Sequence, residues 1–135
     1  MKDTLKPGLT ATRRITIDKP RTIDFLGENL RVYATPELVR DFEIACREFL
    51  LAHCDAGEDS VGTRVEIDHL AATLLGMKVR IDAKVSAVDG RAVSFEVSGT
   101  DGLDTICRCR HNRFVVDVKT TEARLAAKAR KAGLG

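Results

Sequence analysis

From Val61 to Val97 the chain repeats with a period of two. Val61, Thr63, Val65, Ile67 and His69 share one parity, as do Met77, Val79, Ile81, Ala83, Val85 and Ala87, and then Val93, Phe95 and Val97. Side chains that alternate between two faces commit these residues to strands with one buried side. Asp89-Gly90 and Asp101-Gly102 interrupt the pattern with hairpin turn signals, which predict antiparallel pairing. The last strand, about residues 105 to 118, changes parity: Cys107, Cys109 and His111 match early, whereas Phe114, Val116 and Val118 match late. That change predicts a bulge or a switch of exposed face near Asn112.

Ahead of the strands stands one stretch of period 3.6, "ATPELVRDFEIACREFLLAHC". Thr35-Pro36 reads as a helix start, with a hydroxyl at N-cap and proline at the first helical position. Leu38, Phe42, Ala45, Cys46, Phe49, Leu50 and His53 form one apolar stripe, and Asp55-Ala56-Gly57 offers a stop. Upstream, "LTATRRITID" alternates and fits a first strand ending before Lys19-Pro20, and residues 21–34 read as a loop with one short helical turn. Residues 120–132, rich in Ala, Lys and Arg, read as a terminal helix. The expected class is α+β: one long helix against a five-stranded antiparallel sheet, plus a short C-terminal helix. With a single helix to cover one face, the sheet edges or its other face must be buried elsewhere, and a homodimer is the expected solution, with a tetramer left open.

At 135 residues and 44% hydrophobic content, a single domain spanning 1–135 is expected, with its core at about 8–118. The 22 basic and 20 acidic residues nearly cancel, which argues against nucleic acid as a partner. The basic excess is local: from Lys119 onward Lys119, Arg124, Lys128, Arg130 and Lys131 face Glu122 alone, and the expected reading is a solvated basic helix. Neither a signal peptide nor an apolar run near the roughly 20 residues of a membrane span is present, so a cytoplasmic protein with no membrane partner is expected. Four cysteines then stay reduced. Cys46 and Cys54 would lie about 12 Å apart along the helix, beyond disulfide reach, and a bridge between Cys107 and Cys109 would strain a strand.

Three side chains stand out as candidates for chemistry. His69, in "VEIDHLAAT", puts an ionisable ring on the apolar face of a strand near its end; the plain reading is a core histidine bonded to a backbone carbonyl. Glu43 falls at about 140° on a helical wheel whose apolar stripe runs from about 340° through about 120°, so it alone borders the stripe, while Glu37, Asp41 and Glu48 fall opposite. An exposed pairing with Arg47 is its plain reading, and a general base is the functional one. Thr35 reads first as an N-cap, yet a hydroxyl at a helix tip also suits an incoming carbonyl or anion. Cys107, Cys109 and His111 would stack on one face as three zinc ligands, but same-face neighbours about 7 Å apart on a single strand reach a metal poorly, and no metal is expected. No phosphate-cradling glycine motif, nucleophile elbow or dinucleotide fingerprint occurs.

Three segments, "ATPELVRDFEIAC", "GEDSVGTRVEIDHLAATLLGMKVRIDAKVSAVDGRAVSFEVSGTDG" and "RHNRFVVD", together resemble the hot-dog thioesterases of the fluoroacetyl-CoA thioesterase type, over about residues 30–118. The resemblance implies a hot-dog fold and hydrolysis of an acyl-CoA thioester, with no cofactor beyond the coenzyme A of the substrate. It puts Thr35, Glu43 and His69 where the family has its catalytic triad, and Gly62, with Thr63 beside it, against the thioester and pantetheine arm. It also implies a site at a dimer interface. Where the fluoroacetyl-specific member carries an aromatic lid, this chain has "DFLGENLRVYA", with Phe25 and Tyr33 around a leucine- and asparagine-containing middle, so a general short- or medium-chain acyl-CoA is the expected substrate. The alternatives are a non-catalytic acyl-CoA-binding hot-dog module and a hot-dog dehydratase or isomerase. Arg64, Lys78 and Arg80 are candidate contacts for the coenzyme A phosphates.

Overall fold

The computed structural model describes residues 1–135. Strand β1 (Thr10–Thr16) leads into a ribbon of two short strands, β2 (Thr22–Ile23) and β3 (Val32–Tyr33), separated by a short helical turn at Glu28–Leu30. The long helix α1 (Thr35–Leu51) follows, then β4 (Glu58–His69), β5 (Lys78–Asp89), β6 (Ala92–Thr100), β7 (Thr105–Asp117) and the terminal helix α2 (Val118–Lys131). The five long strands form one antiparallel sheet in the order β1-β5-β6-β7-β4. This is the hot-dog arrangement, one helix lying along one face of the sheet.

The core is the meeting of the predicted helix stripe and the predicted strand faces. Leu38, Phe42, Cys46 and Leu50 of α1 pack on Val79, Ile81, Val85, Val93, Phe95, Val97 and Ile106. The helix approaches closely enough that a β-carbon at Gly99 would lie 2.8 Å from the Phe42 ring, which explains a glycine inside β6. At Asp89 the chain reverses through Gly90, whose φ of +57° suits glycine.

Four details depart from the sequence reading. Ala34, not Thr35, is the N-cap of α1: Leu38 N–H donates to Ala34 O at 2.9 Å, and Thr35 is the first helical residue. Proline at the second helical position is as well tolerated as at the first, because neither N–H has a partner within the helix. Asp41, expected on the solvent side, is buried at 5% exposure. Strand β7 keeps one parity throughout, burying Cys107, Cys109, His111, Arg113 and Val115, while the bulge falls across from it, in β4 between Gly62 and Arg64. In β5 a second bulge after Val85 turns Ala87 outward and Val88 toward the core.

The sheet's other face carries charge. Lys84, Glu96, Arg110 and Glu66 stand side by side across four strands, a row of alternating charge on neighbouring chains. Of the sheet's two open edges, β1 and β4, the longer is the outer edge of β4, 12 residues long and carrying Val61 and Val65 at 44% and 43% exposure. Asp117 caps α2 by accepting from Thr120 N–H at 2.8 Å, and α2 leans over Val61 and Val116 without burying any residue of its own.

Candidate active site

The predicted site residues fall into two groups. The first sits at the tip of α1. Freed from capping, the Thr35 hydroxyl lies 2.8 Å from His69 Nδ1. His69 closes β4, and just beyond it the chain turns back, with Thr73 O accepting from Tyr33 N–H at 2.8 Å, so the strand end is tied to the residues before the helix. His69 Nε2 is buried and has no hydrogen-bond partner. An orphaned buried nitrogen costs about 1–3 kcal/mol, and beside the Thr35 hydroxyl it can share a hydrogen bond with an incoming polar group.

The second group surrounds Glu43, two turns further along α1. Gly62 passes so close that a β-carbon there would lie 2.8 Å from Glu43 Oε2. Arg113 Nη1 is 3.9 Å from the same oxygen, with the guanidinium 3% exposed and the carboxylate 49% exposed. Arg113 donates from Nε to Ser60 Oγ at 2.7 Å and from Nη2 to Ser60 O at 2.9 Å, and its Nη1 lies 3.1 Å from His111 Nε2. Burial pulls the guanidinium's pKa below its ordinary value, and Glu43 is the first group acting against that pull. The carboxylate is thus a half-open anion backed by a fixed cation.

Eight residues of helix separate Thr35 from Glu43, about 12 Å along the axis. One protomer therefore brings Thr35 to His69, and Glu43 to Gly62, but does not close all of them around one point. Thr63, the extra residue of the bulge, is exposed and donates its hydroxyl to Asn112 O at 3.2 Å.

Asp41, expected on the solvent side, has a structural role. Asp41 accepts from Arg21 Nε at 2.9 Å and Arg21 Nη2 at 3.1 Å, and from the Tyr33 hydroxyl. Burial, then the bond to Asp41, raises the Tyr33 pKa. This trio, with Asp41 and Tyr33 buried and Arg21 half-buried, pins the loop that carries Phe25, Leu26 and Leu30, exposed at 85%, 69% and 56%. Tyr33 is therefore an anchor of that loop, and Phe25 is its exposed aromatic. Cys107, Cys109 and His111 do share a face, but burial pushes the two thiols up to about 12 and about 11, which keeps them protonated and poor as ligands. Arg64, Lys78 and Arg80 are exposed as their parity predicts; Arg64 pairs with Glu66 at 3.3 Å and Arg80 with Asp82 at 2.9 Å.

Sequence reasoning missed Arg113, weighed His111 only as a metal ligand and put Asp41 on the solvent side. For Arg113 a signal existed: it continues the parity of Cys107, Cys109 and His111, and was overridden by the apolar residues Phe114 and Val116 next to it.

Comparison with known proteins gives the arrangement a setting. A family model described as fluoroacetyl-CoA-specific thioesterase matches residues 17–119. A fluoroacetyl-CoA thioesterase from Streptantibioticus cattleyicolor is 31% identical over 95% of this chain and 97% of its own. Among solved structures, a thioesterase superfamily member from Thermus thermophilus superposes with a TM-score of 0.87 at 28% identity, covering 96% of this chain and 97% of that one. A mutant of the fluoroacetyl-CoA-specific thioesterase FlK in complex with fluoroacetate and CoA superposes with a TM-score of 0.80 at 30% identity, covering 87% of this chain and 99% of that one.

Proposed function

The chain belongs to the fluoroacetyl-CoA-specific thioesterase family and is a thioester hydrolase, and on that footing we propose that it cleaves short- or medium-chain acyl-CoA at a site shared by the two subunits of a dimer. The observation that carries the reading is the separation of Thr35 and His69 from Glu43 along one helix, with the exposed edge of β4 running between them. A long unpaired edge with outward valines invites a second strand. If two copies pair their β4 edges antiparallel about a twofold axis near Val65–Glu66, residue numbers on facing strands sum to a constant, and Gly62 of one copy comes opposite the partner's His69. The two half-sites then meet at each end of the interface.

In such a site the thioester carbonyl would lie between the Thr35–His69 pair and the partner's Glu43. Glu43 takes a proton from water as the oxygen attacks the carbonyl carbon, or attacks that carbon itself. Backbone amides, that of Gly62 among them, receive the developing oxyanion. When the carbon–sulfur bond breaks, the proton that Glu43 took from water passes, relayed by His69, to the departing thiolate, and Thr35 orients the ring; on the covalent route that proton comes from the water that cleaves the acyl–Glu43 anhydride. The products are a carboxylate and coenzyme A thiol. The loop of Phe25, Leu26 and Leu30 supplies apolar cover suited to an alkyl chain.

A thiol-release assay over acetyl-CoA, fluoroacetyl-CoA and longer acyl-CoAs to decanoyl tests the reading. Release is expected with short and medium chains. Binding of the acyl-CoAs without released thiol would instead mark a non-catalytic module.

A further inference from the structure

Gly62 is confined from two sides. A β-carbon there would meet Glu43 Oε2 at 2.8 Å and His111 Cε1 at 3.2 Å, so an imidazole as well as a carboxylate sets the path of its backbone. Gly62 also borders the bulge in β4, and a bulge leaves its extra residue outside the regular ladder. Side chains from β7 hold the two ends of this one. His111 Nδ1 lies 2.8 Å from Arg64 O, and Arg113 Nη2 donates to Ser60 O at 2.9 Å.

The protonation of His111 follows from its partners. A carbonyl only accepts, so Nδ1 carries the hydrogen that meets Arg64 O; a guanidinium only donates, so the Nε2 lone pair faces Arg113 Nη1 at 3.1 Å. The ring is neutral. A second proton would have to sit on Nε2, against the Arg113 cation. Burial and then, among the lowering influences, Arg113 depress the pKa of His111, while the Arg64 carbonyl and Glu43 oppose them. The charged groups facing the ring are Arg113 on its own strand and Glu43 on α1; its cross-strand neighbours are Val65 and Phe95, which are apolar.

We propose that His111 is a positioning residue for the thioester site: a neutral strut that fixes the Gly62–Thr63 bulge against Glu43 and aims the Arg113 guanidinium. The inference rests on the thioesterase reading, because the register it protects is that between Gly62 and the base. It assigns a role to a side chain that touches no reacting atom.

The test compares His111→Ala with His111→Gln on an acyl-CoA that the unaltered protein cleaves. His111→Ala is expected to lower kcat by on the order of 10²-fold, the scale of a misplaced catalytic framework, with KM moved by less than about threefold. Glutamine can donate to Arg64 O and accept from Arg113 at once, and should restore most of the turnover. Two readouts are independent of activity. Long-range 1H–15N spectra should show the Nδ1-protonated tautomer of His111 at neutral pH, and exchange of the Gly62 amide should be faster in His111→Ala than in His111→Gln. Should His111→Ala fail to fold, His111→Asn replaces it: too short to reach both partners, it should lose turnover that glutamine keeps. Unchanged kcat in His111→Ala, equal losses in His111→Gln and His111→Ala, or an imidazolium or Nε2-protonated ring at neutral pH would each overturn the proposal. If the unaltered protein releases no thiol, the thioesterase reading fails, and the spectra and amide exchange alone decide whether His111 is a strut.

Discussion

The two half-sites on α1 are built in opposite ways. At the helix tip, Thr35 and His69 share one contact of 2.8 Å, and the far nitrogen of the ring is left without a partner. Two turns on, Glu43 rests against a backbone held by His111 and Arg113 through two hydrogen bonds, with two more tying Arg113 to Ser60 and His111. The tip pair is unfinished, and the flank cluster is clamped. Clamping costs buried polar groups that must all be satisfied; in the proposed mechanism it falls where backbone and base keep a fixed register, and openness falls where the leaving group is reached. The contrast teaches that the sheet supplies the rigidity, and on the proposed reading a partner at the edge of β4 supplies what the tip lacks.

Substitutions can break this contrast from either side. The largest expected effect is on turnover: Glu43→Gln should lose on the order of 10²–10⁴-fold in kcat and far less in stability, the loss of a half-exposed charge beside Arg113; equal turnover would remove Glu43 from the mechanism. Arg113→Met should act on the fold as well, lowering stability by about 2–4 kcal/mol in chemical denaturation, because Ser60 and His111 lose a buried partner. Asp41→Asn should cost about 1–3 kcal/mol by weakening the tie to Arg21 and Tyr33, and limited proteolysis should then cut first within residues 24–31. Thr35→Ala lies at the other extreme: without a capping role it should change stability by less than about 0.5 kcal/mol while turnover falls, so a loss near 1 kcal/mol would restore the cap.

Acid separates the two regions as well. The pKa of His111 in the folded protein lies below the value of about 6.5 that it takes when unfolded. The unfolded chain therefore binds the proton first. The stability this ring protects is fully present above about pH 6.5 and is lost as pH falls through the folded value. Denaturation curves between neutral and mildly acid pH should show a steeper loss in the unaltered protein than in His111→Gln, and identical slopes would count against a neutral buried ring.

The regular elements were legible because each carries its own period. The helix stripe from Leu38 to Leu50 and the alternation through β5 and β6 need no knowledge of neighbours. What stayed hidden was set by partners distant in sequence. Asp41 looks like a solvent residue on a helical wheel, and only Arg21 and Tyr33, folded over from the preceding ribbon, make its burial affordable in polar terms. Phe114 and Val116, being apolar, set the expected late parity of the last strand, yet those two lie on the outer face, where Val116 lines a cleft beneath α2, and Arg113 points inward. The bulge was sensed in the last strand and belongs to its neighbour: pairing registers are relative, and one sequence does not say which strand holds the extra residue. Thr35 was one position from its predicted place, and that single step turns a capping hydroxyl into one free to meet His69.

Subunit mixing tests the shared site most directly. Protomers carrying Thr35→Ala with His69→Ala, and protomers carrying Glu43→Gln, should each be inactive as homodimers. Refolded together in equal amounts, half of the dimers are mixed and each mixed dimer holds one complete site, so thiol release should recover to about a quarter of the unaltered level. Dimers that mix but release no more thiol than the separate variants would mean that all three residues serve one chain, and the shared site would be wrong.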